Sequence, residues 1–179
     1  SEYVFNADLT KEDSEISDNL ESLGYYQYYK DTNRVTYYDK GGEIELSSEP
    51  DITEDCISLS YNTGDIFVPF YLRLGDFTYD SDIYEDNIAY DESPKILADM
   101  ESIRNIDVGT TLESIEQSGL LKYADHIKKT YYRGTDKLEY QIDLSIYLNR
   151  GENNSDSNHI HNNLHIKDGA VTESYISKK

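Results

Sequence analysis

The stretch Leu138-Glu-Tyr-Gln-Ile-Asp-Leu-Ser-Ile-Tyr-Leu148 places an apolar residue at every second position. A period of two is the mark of a strand, because successive side chains leave opposite faces of a pleated backbone. One face of this strand must be buried and the other wetted. A single strand leaves its backbone donors and acceptors unpaired, so the chain around it has to build a sheet. Its C-terminal neighbours supply partners. After a polar loop over 150–158, Ile160, Leu164 and Ile166 mark a further strand. Asp168-Gly169 is a two-residue hairpin signal that pairs this strand with residues 170–177.

The same logic runs through the rest of the chain. Leu9, Ile16, Leu20 and Leu23 predict a helix over about residues 10–23, with Thr10 as its cap and Gly24 as its stop. Short strands follow at 25–29, 34–38 and 43–46, separated by turns at Asp31-Thr-Asn and Lys40-Gly-Gly. Ile57, Leu59 and Tyr61 alternate with serines as another strand, and 66–74 is a second apolar run in which Pro69 favours an edge or a bulge. Residues 75–92 form an acidic, tyrosine-bearing loop. Ser93-Pro94 starts a helix whose buried face is Ile96, Leu97, Met100 and Ile103. Leu112, Ile115, Leu120, Tyr123 and Ile127 predict helix over about 111–129, bent near Ser118-Gly119. The expected fold is α+β, with helices packed on antiparallel β-sheet. It divides into an acidic helix-plus-meander module over 1–92 and a helix-plus-sheet module over 93–179, either two related modules in tandem or one continuous domain.

Charge is distributed unevenly. The chain of 179 residues has a formal net charge of −20, and residues 1–110 hold 26 of its 36 carboxylates against 7 of its 16 lysines and arginines. Such a field repels nucleic-acid phosphates and anionic membranes. It suits a basic partner, divalent cations or plain solubility. The 18 tyrosines argue against disorder, which is poor in aromatics. In the pairs Tyr25-Tyr26, Tyr28-Tyr29, Tyr37-Tyr38 and Tyr131-Tyr132, one ring of each is expected in the core and the other on the surface. No run approaches the roughly 18 apolar residues of a membrane-spanning helix. The chain starts at Ser1 rather than a methionine, which leaves open a removed signal peptide or lipid-anchor segment.

Val108-Gly109-Thr110-Thr111, then Ile115, then a strand-rich run closing on Lys167-Asp168-Gly169-Ala170-Val171 resembles a known envelope module. It is similar to the repeat shared by outer-membrane SmpA/OmlA-type lipoproteins and the secreted β-lactamase-inhibitor protein. The likeness covers about 106–177, with Thr110 where the family usually carries Met. The resemblance implies an exported, noncatalytic, protein-binding module, and no functional residues are carried over from it. The same residues have a plain physical reading. Gly109 relaxes the backbone, Thr110 or Thr111 caps a helix, and Glu113 lies near its positive end.

Candidate chemistry is sparse. His159, His161 and His165 fall on one face of the strand that carries Ile160, Leu164 and Ile166. By strand rise His159 and His161 lie about 7 Å apart, close enough to share a metal, whereas His165 lies roughly 13 Å beyond His161. Asp80 and Asp82 sit in a segment with the look of a calcium loop, but Tyr84 and Glu85 occupy positions where an EF-hand needs an oxygen ligand and a glycine. A solvated strand face and a solvated acidic loop are the competing readings, so no metal or cofactor is assigned. There is no nucleophile elbow, zinc-binding helix motif, Walker loop or dinucleotide fingerprint. Cys56 reads as a small, half-buried side chain. With the resemblance above and the acidic, tyrosine-rich first part, the expected function is a noncatalytic secreted or cell-envelope bacterial protein, of a Gram-positive-type bacterium, that binds another protein, a basic surface being the kind of partner its charge suits. The alternative is an acidic cytoplasmic inhibitor or immunity-type protein that blocks a basic, nucleic-acid-binding enzyme.

Overall fold

A computed structural model describes residues 6–30, 33–39, 42–48, 55–62, 93–148 and 158–178. Helix α1 (Asp13–Ser22) precedes β1 (Tyr26–Lys30), β2 (Arg34–Asp39), β3 (Gly42–Ser47) and β4 (Cys56–Asn62). Helices α2 (Ser93–Arg104) and α3 (Leu112–Gln117) and a 3-10 turn (Leu120–Tyr123) lead into β5 (Ala124–Tyr132), β6 (Leu138–Leu148), β7 (Asn158–Lys167) and β8 (Ala170–Lys178). The eight strands form one antiparallel sheet whose spatial order equals their chain order. The predicted run 66–74 and acidic loop 75–92 lie outside the described residues.

The alternation in β6 places Ile142, Leu144 and Ile146 fully inside. Its neighbours add Ile127 from β5 and Ile160, Leu164 and Ile166 from β7, and the first half adds Ile44, Ile57 and Leu59. Burying each such side chain contributes about 1.5–3 kcal/mol. The helices contribute to the same core: Ile16 and Leu20 of α1, four residues apart, Met100 and Ile103 of α2, and Ile115 of α3. Buried polar side chains share this face as well. Asn162 is wholly buried; its Nδ2 donates to the Ile103 carbonyl at 2.9 Å, and its Oδ1 accepts from Ser174 Oγ at 2.9 Å. Lys129 is also buried and donates to the Ala7 carbonyl, near the Tyr140 ring. Burial pulls its ammonium below the ordinary lysine range, against the opposing charge of Asp8.

The segments around Gly109 and Gly169 meet in space. Gly109 N–H donates to the Val171 carbonyl, Val171 N–H to the Thr110 carbonyl, and Leu112 N–H to the Gly169 carbonyl, each at 2.8 Å. Gly109 adopts φ +95° to make this approach, and Thr111 caps α3 by accepting from Ser114 N–H at 3.1 Å. The β7–β8 turn has positive φ at both Asp168 and Gly169, the geometry that a two-residue hairpin demands.

Several local expectations need correction. Leu97, expected on the buried face of α2, is exposed. Helix does not continue to residue 129: Gly119 turns left-handed at φ +78°, one 3-10 turn follows, and residues 124–132 pair with β4 and β6 as a strand. Ile127 is thus a core strand residue, as the neighbouring β-branched and aromatic residues favour. Thr10 does not cap α1, because its hydroxyl and N–H are both engaged by the Asp8 carboxylate, and the cap position falls to Glu12. Leu23 lies beyond the helix and is exposed. Finally, Tyr28 and Tyr29 are both exposed, because the register slips between Gln27 and Tyr29 and breaks the alternation of β1. Tyr37 and Tyr38 behave as expected, one buried and the other exposed.

Candidate functional site

Opposite the core lies the second face of the sheet. Directly opposed residues on neighbouring strands point the same way. The registers therefore define a row across all eight strands: Tyr26, Tyr38, Glu43, Asn62, His126, Asp143, Asn163 and Tyr175. A second row carries Thr36, Glu45, Ser60, Lys128, Gln141, His165 and Glu173. Most of these side chains are half-buried to exposed, with Thr36 buried among its neighbours. The helix side chains in the core and the α2 bond to Asn162 all engage the other face.

The outer strands carry the aromatic end of this face. Tyr26 and Tyr28 meet the Tyr38 ring edge-on, at 5.9 and 6.1 Å between centroids. The three rings are exposed by 56, 53 and 43%, amphipathic groups of the kind that supply rigid contact area at interfaces. Tyr28 donates its hydroxyl to Glu43, and this bond raises the phenol above its ordinary pKa. Arg34 lies 5.1 Å over the Tyr29 ring and 3.8 Å from Glu45.

The centre is ionisable. His161 Nε2 lies 3.4 Å from Asp143 Oδ1, and His126 Nδ1 lies 3.7 Å from Asp143 Oδ2. Asn163 also donates to Asp143. Burial alone would raise the Asp143 pKa, but hydrogen bonds from His161 and Asn163 and the two imidazoles outweigh it and lower it. Asp125 is pushed the other way, first by burial and then by the charge of Asp143. His161 is raised above the ordinary histidine value, chiefly by its bond to Asp143 and against its own burial. Two carboxylates with opposite shifts and two imidazoles make a small proton-accepting cluster.

Towards the β5–β6 turn the face sinks into a depression of about 240 Å³ bordered by Ser58, Lys128, Thr130, Glu139, His165 and Lys167. Ser58 and Thr130 hydroxyls bridge its floor at 2.9 Å. Cys56, half-buried, stands at its rim. His165 Nδ1 is 3.8 Å from Glu173 Oε2, and its ring meets Tyr175 edge-on at 5.7 Å. A larger groove of about 410 Å³ lies on the helical side, between α1 and β1–β3, bordered by Asp18, Glu21, Lys30 and Tyr37.

Among the predicted site residues, His161 and His165 do share the open face. His159 is described by its strand register opposite Tyr147, and its side chain lies outside the description. Asp80 and Asp82 lie outside the described residues. Among the described residues, no three His, Cys, Asp or Glu side chains are grouped to hold a metal ion. The sequence reading missed the cluster of Asp125, His126 and Asp143. The signal was a polar position within an alternating strand, which gains meaning only once the register sets Asp143 between His126 and the β7 histidines.

No protein-family model matches this chain, and no curated protein matches it. A solved structure from Streptococcus mutans, described as a candidate β-lactamase inhibitor protein, aligns with 90% of this chain and 81% of its own. The identity is 14% and the TM-score 0.38. A likeness of that size assigns neither family nor function.

Proposed function

We propose that this protein is a noncatalytic binding module that docks another protein on the open face of its sheet. The observation that carries this reading is the row from Tyr26 to Tyr175, which runs across all eight strands with exposed aromatic rings at both ends and a polar centre. Exposed tyrosines around a polar centre tied together by His161, Asp143 and Asn163 suit protein recognition better than a cleft-based reaction. The two halves, 1–92 and 93–179, then act as related helix-plus-meander units fused into one binding surface. A secreted or cell-envelope location accompanies the proposal, resting on the resemblance carried by the Gly109-Thr-Thr and Asp168-Gly-Ala-Val segments. Nucleic-acid mimicry is not adopted, because the described carboxylates of the face are interleaved with Arg34, Lys128 and Lys167 rather than aligned as a phosphate-like stripe.

Photo-crosslinking tests the reading. A photoreactive residue is placed at Tyr38, and in a control at Glu113 on α3, in cells that make the protein. A defined partner joined from position 38 and absent from position 113 is the expected outcome. Equal yields from both positions, or capture from α3 alone, refute the docking face.

A further inference from the structure

The chain has four histidines, and all four lie on β5 and β7. Each of the three whose side chains are described faces a carboxylate: His126 and His161 face Asp143, and His165 faces Glu173. We infer that these histidines set the charge of the open face, so that it fits a basic protein surface at neutral pH and releases it in mild acid. This rests on the docking reading above and adds to it the chemistry of the partner and its regulation.

The surroundings of each imidazole support a charge change at that place. From β6, Asp143 faces both His126 and His161, and Ser145 stands directly opposite His161. From β5, Asp125 acts on His161 together with Asp143. From β4, the neutral Asn62 stands opposite His126, with Glu43 of β3 one strand further along the row. From β8, Glu173 stands opposite His165 and Tyr175 opposite Asn163. Lys128 lies two residues along β5 from His126, in the row that carries His165. Neutral imidazoles leave the carboxylates of Asp125, Asp143 and Glu173 without a histidine countercharge, on a part of the face that also carries Glu139 and the cations Lys128 and Lys167. Protonated imidazoles offset all three, and they compete with any lysine or arginine of a partner for the same carboxylates. Partial burial of the central pair reduces screening by salt, so the competition persists at physiological ionic strength. The raised basicity of His161 moves the change upward within the interval between about pH 5 and pH 8, where histidines titrate.

The full chain is titrated with a synthetic peptide of alternating arginine and glycine, and backbone amide shifts are followed by NMR at about pH 7.5 and about pH 5.5. The expected result at the higher pH is shifts confined to open-face residues of β5–β8. Affinity should then fall about tenfold at the lower pH. The double variant His126→Asn, His161→Asn should keep most of its affinity at the lower pH. Open-face binding of equal strength at both pH values overturns the gating but leaves the docking face standing. Shifts confined to other surfaces overturn the docking face itself, and no binding at the higher pH overturns the fit to a basic partner. Should the variant not fold, the midpoint of the wild-type binding loss decides: coincidence with the histidine ring titrations supports the inference. A midpoint near about pH 4 assigns the loss to carboxylates and overturns it.

Discussion

Removing the buried amide of Asn162 should loosen the grip of the sheet on α2. The side chain is fully enclosed, donates to the Ile103 carbonyl at 2.9 Å and accepts from Ser174 Oγ at 2.9 Å. Asn162→Ala deletes both bonds, each worth about 1 kcal/mol net, and leaves a small void. The Ile103 carbonyl keeps only the longer bond from Ile106 N–H at 3.4 Å among its described partners, so part of its desolvation goes uncompensated. Together these losses amount to about 2–4 kcal/mol. Asn162→Asp provides an internal check through pH. A buried carboxyl at this position can donate to the Ile103 carbonyl only while protonated, so its folded pKa must lie above the unfolded value near about 3.9. Its stability should therefore be greatest below that value and decline as pH rises through the folded pKa. Urea unfolding at a series of pH values measures both variants, with an unchanged denaturant slope showing that the folded state is still compact. A loss under about 0.5 kcal/mol for Asn162→Ala, or an Asn162→Asp variant of equal stability across the acid range, would refute the assignment of this amide as the tie between helix and sheet.

The cap and the central ion pair give two further tests. Thr111→Ala removes the acceptor for Ser114 N–H and should cost about 1 kcal/mol in thermal or chemical unfolding, whereas Thr110→Ala should cost less because Thr110 joins Val171 through backbone alone. His161 has a raised folded pKa, so the stability it gains from Asp143 is fully present below the ordinary histidine value and fades as pH rises through the raised one. His161→Asn should accordingly lower the melting temperature more at about pH 5.5 than at about pH 8, and an equal decrement at both would contradict the pairing.

Strand positions were the most legible part of the chain, because a period of two survives even when the partner strand is unknown. The alternation of β6 and the Asp168-Gly169 turn led to the right elements, as did the serine-spaced apolar residues of β4. The stripe from Leu112 to Ile127 misled, since Leu112, Ile115 and Leu120 fit a helical face and Ile127 fits it too by accident of spacing. The backbone break at Gly119 and the pairing of β5 with two neighbours decide the matter, and neither is local information. Asn162 shows what sequence alone leaves out: a polar residue at a core-facing position amid Ile160, Leu164 and Ile166, it is buried because α2 supplies its partner. The candidate site was hidden for the same reason. His161 was visible as one of a row, but Asp143 and His126 became its neighbours only through a register set across three strands.

The order of the sheet carries one more consequence. Every adjacent pair of strands except β4 and β5 is close in sequence, so each of those pairings is a local one. The β4–β5 joint holds seven registered pairs, from Cys56 with Tyr132 to Asn62 with His126, and must instead be found by diffusion across a long intervening segment. Its sequence separation makes it the expected slow step in the folding of the sheet. It is also the line along which two chains could trade halves and keep every one of those pairs. At high concentration that seam is the expected route to a domain-swapped dimer, which would show as a second, concentration-dependent species in size-exclusion chromatography.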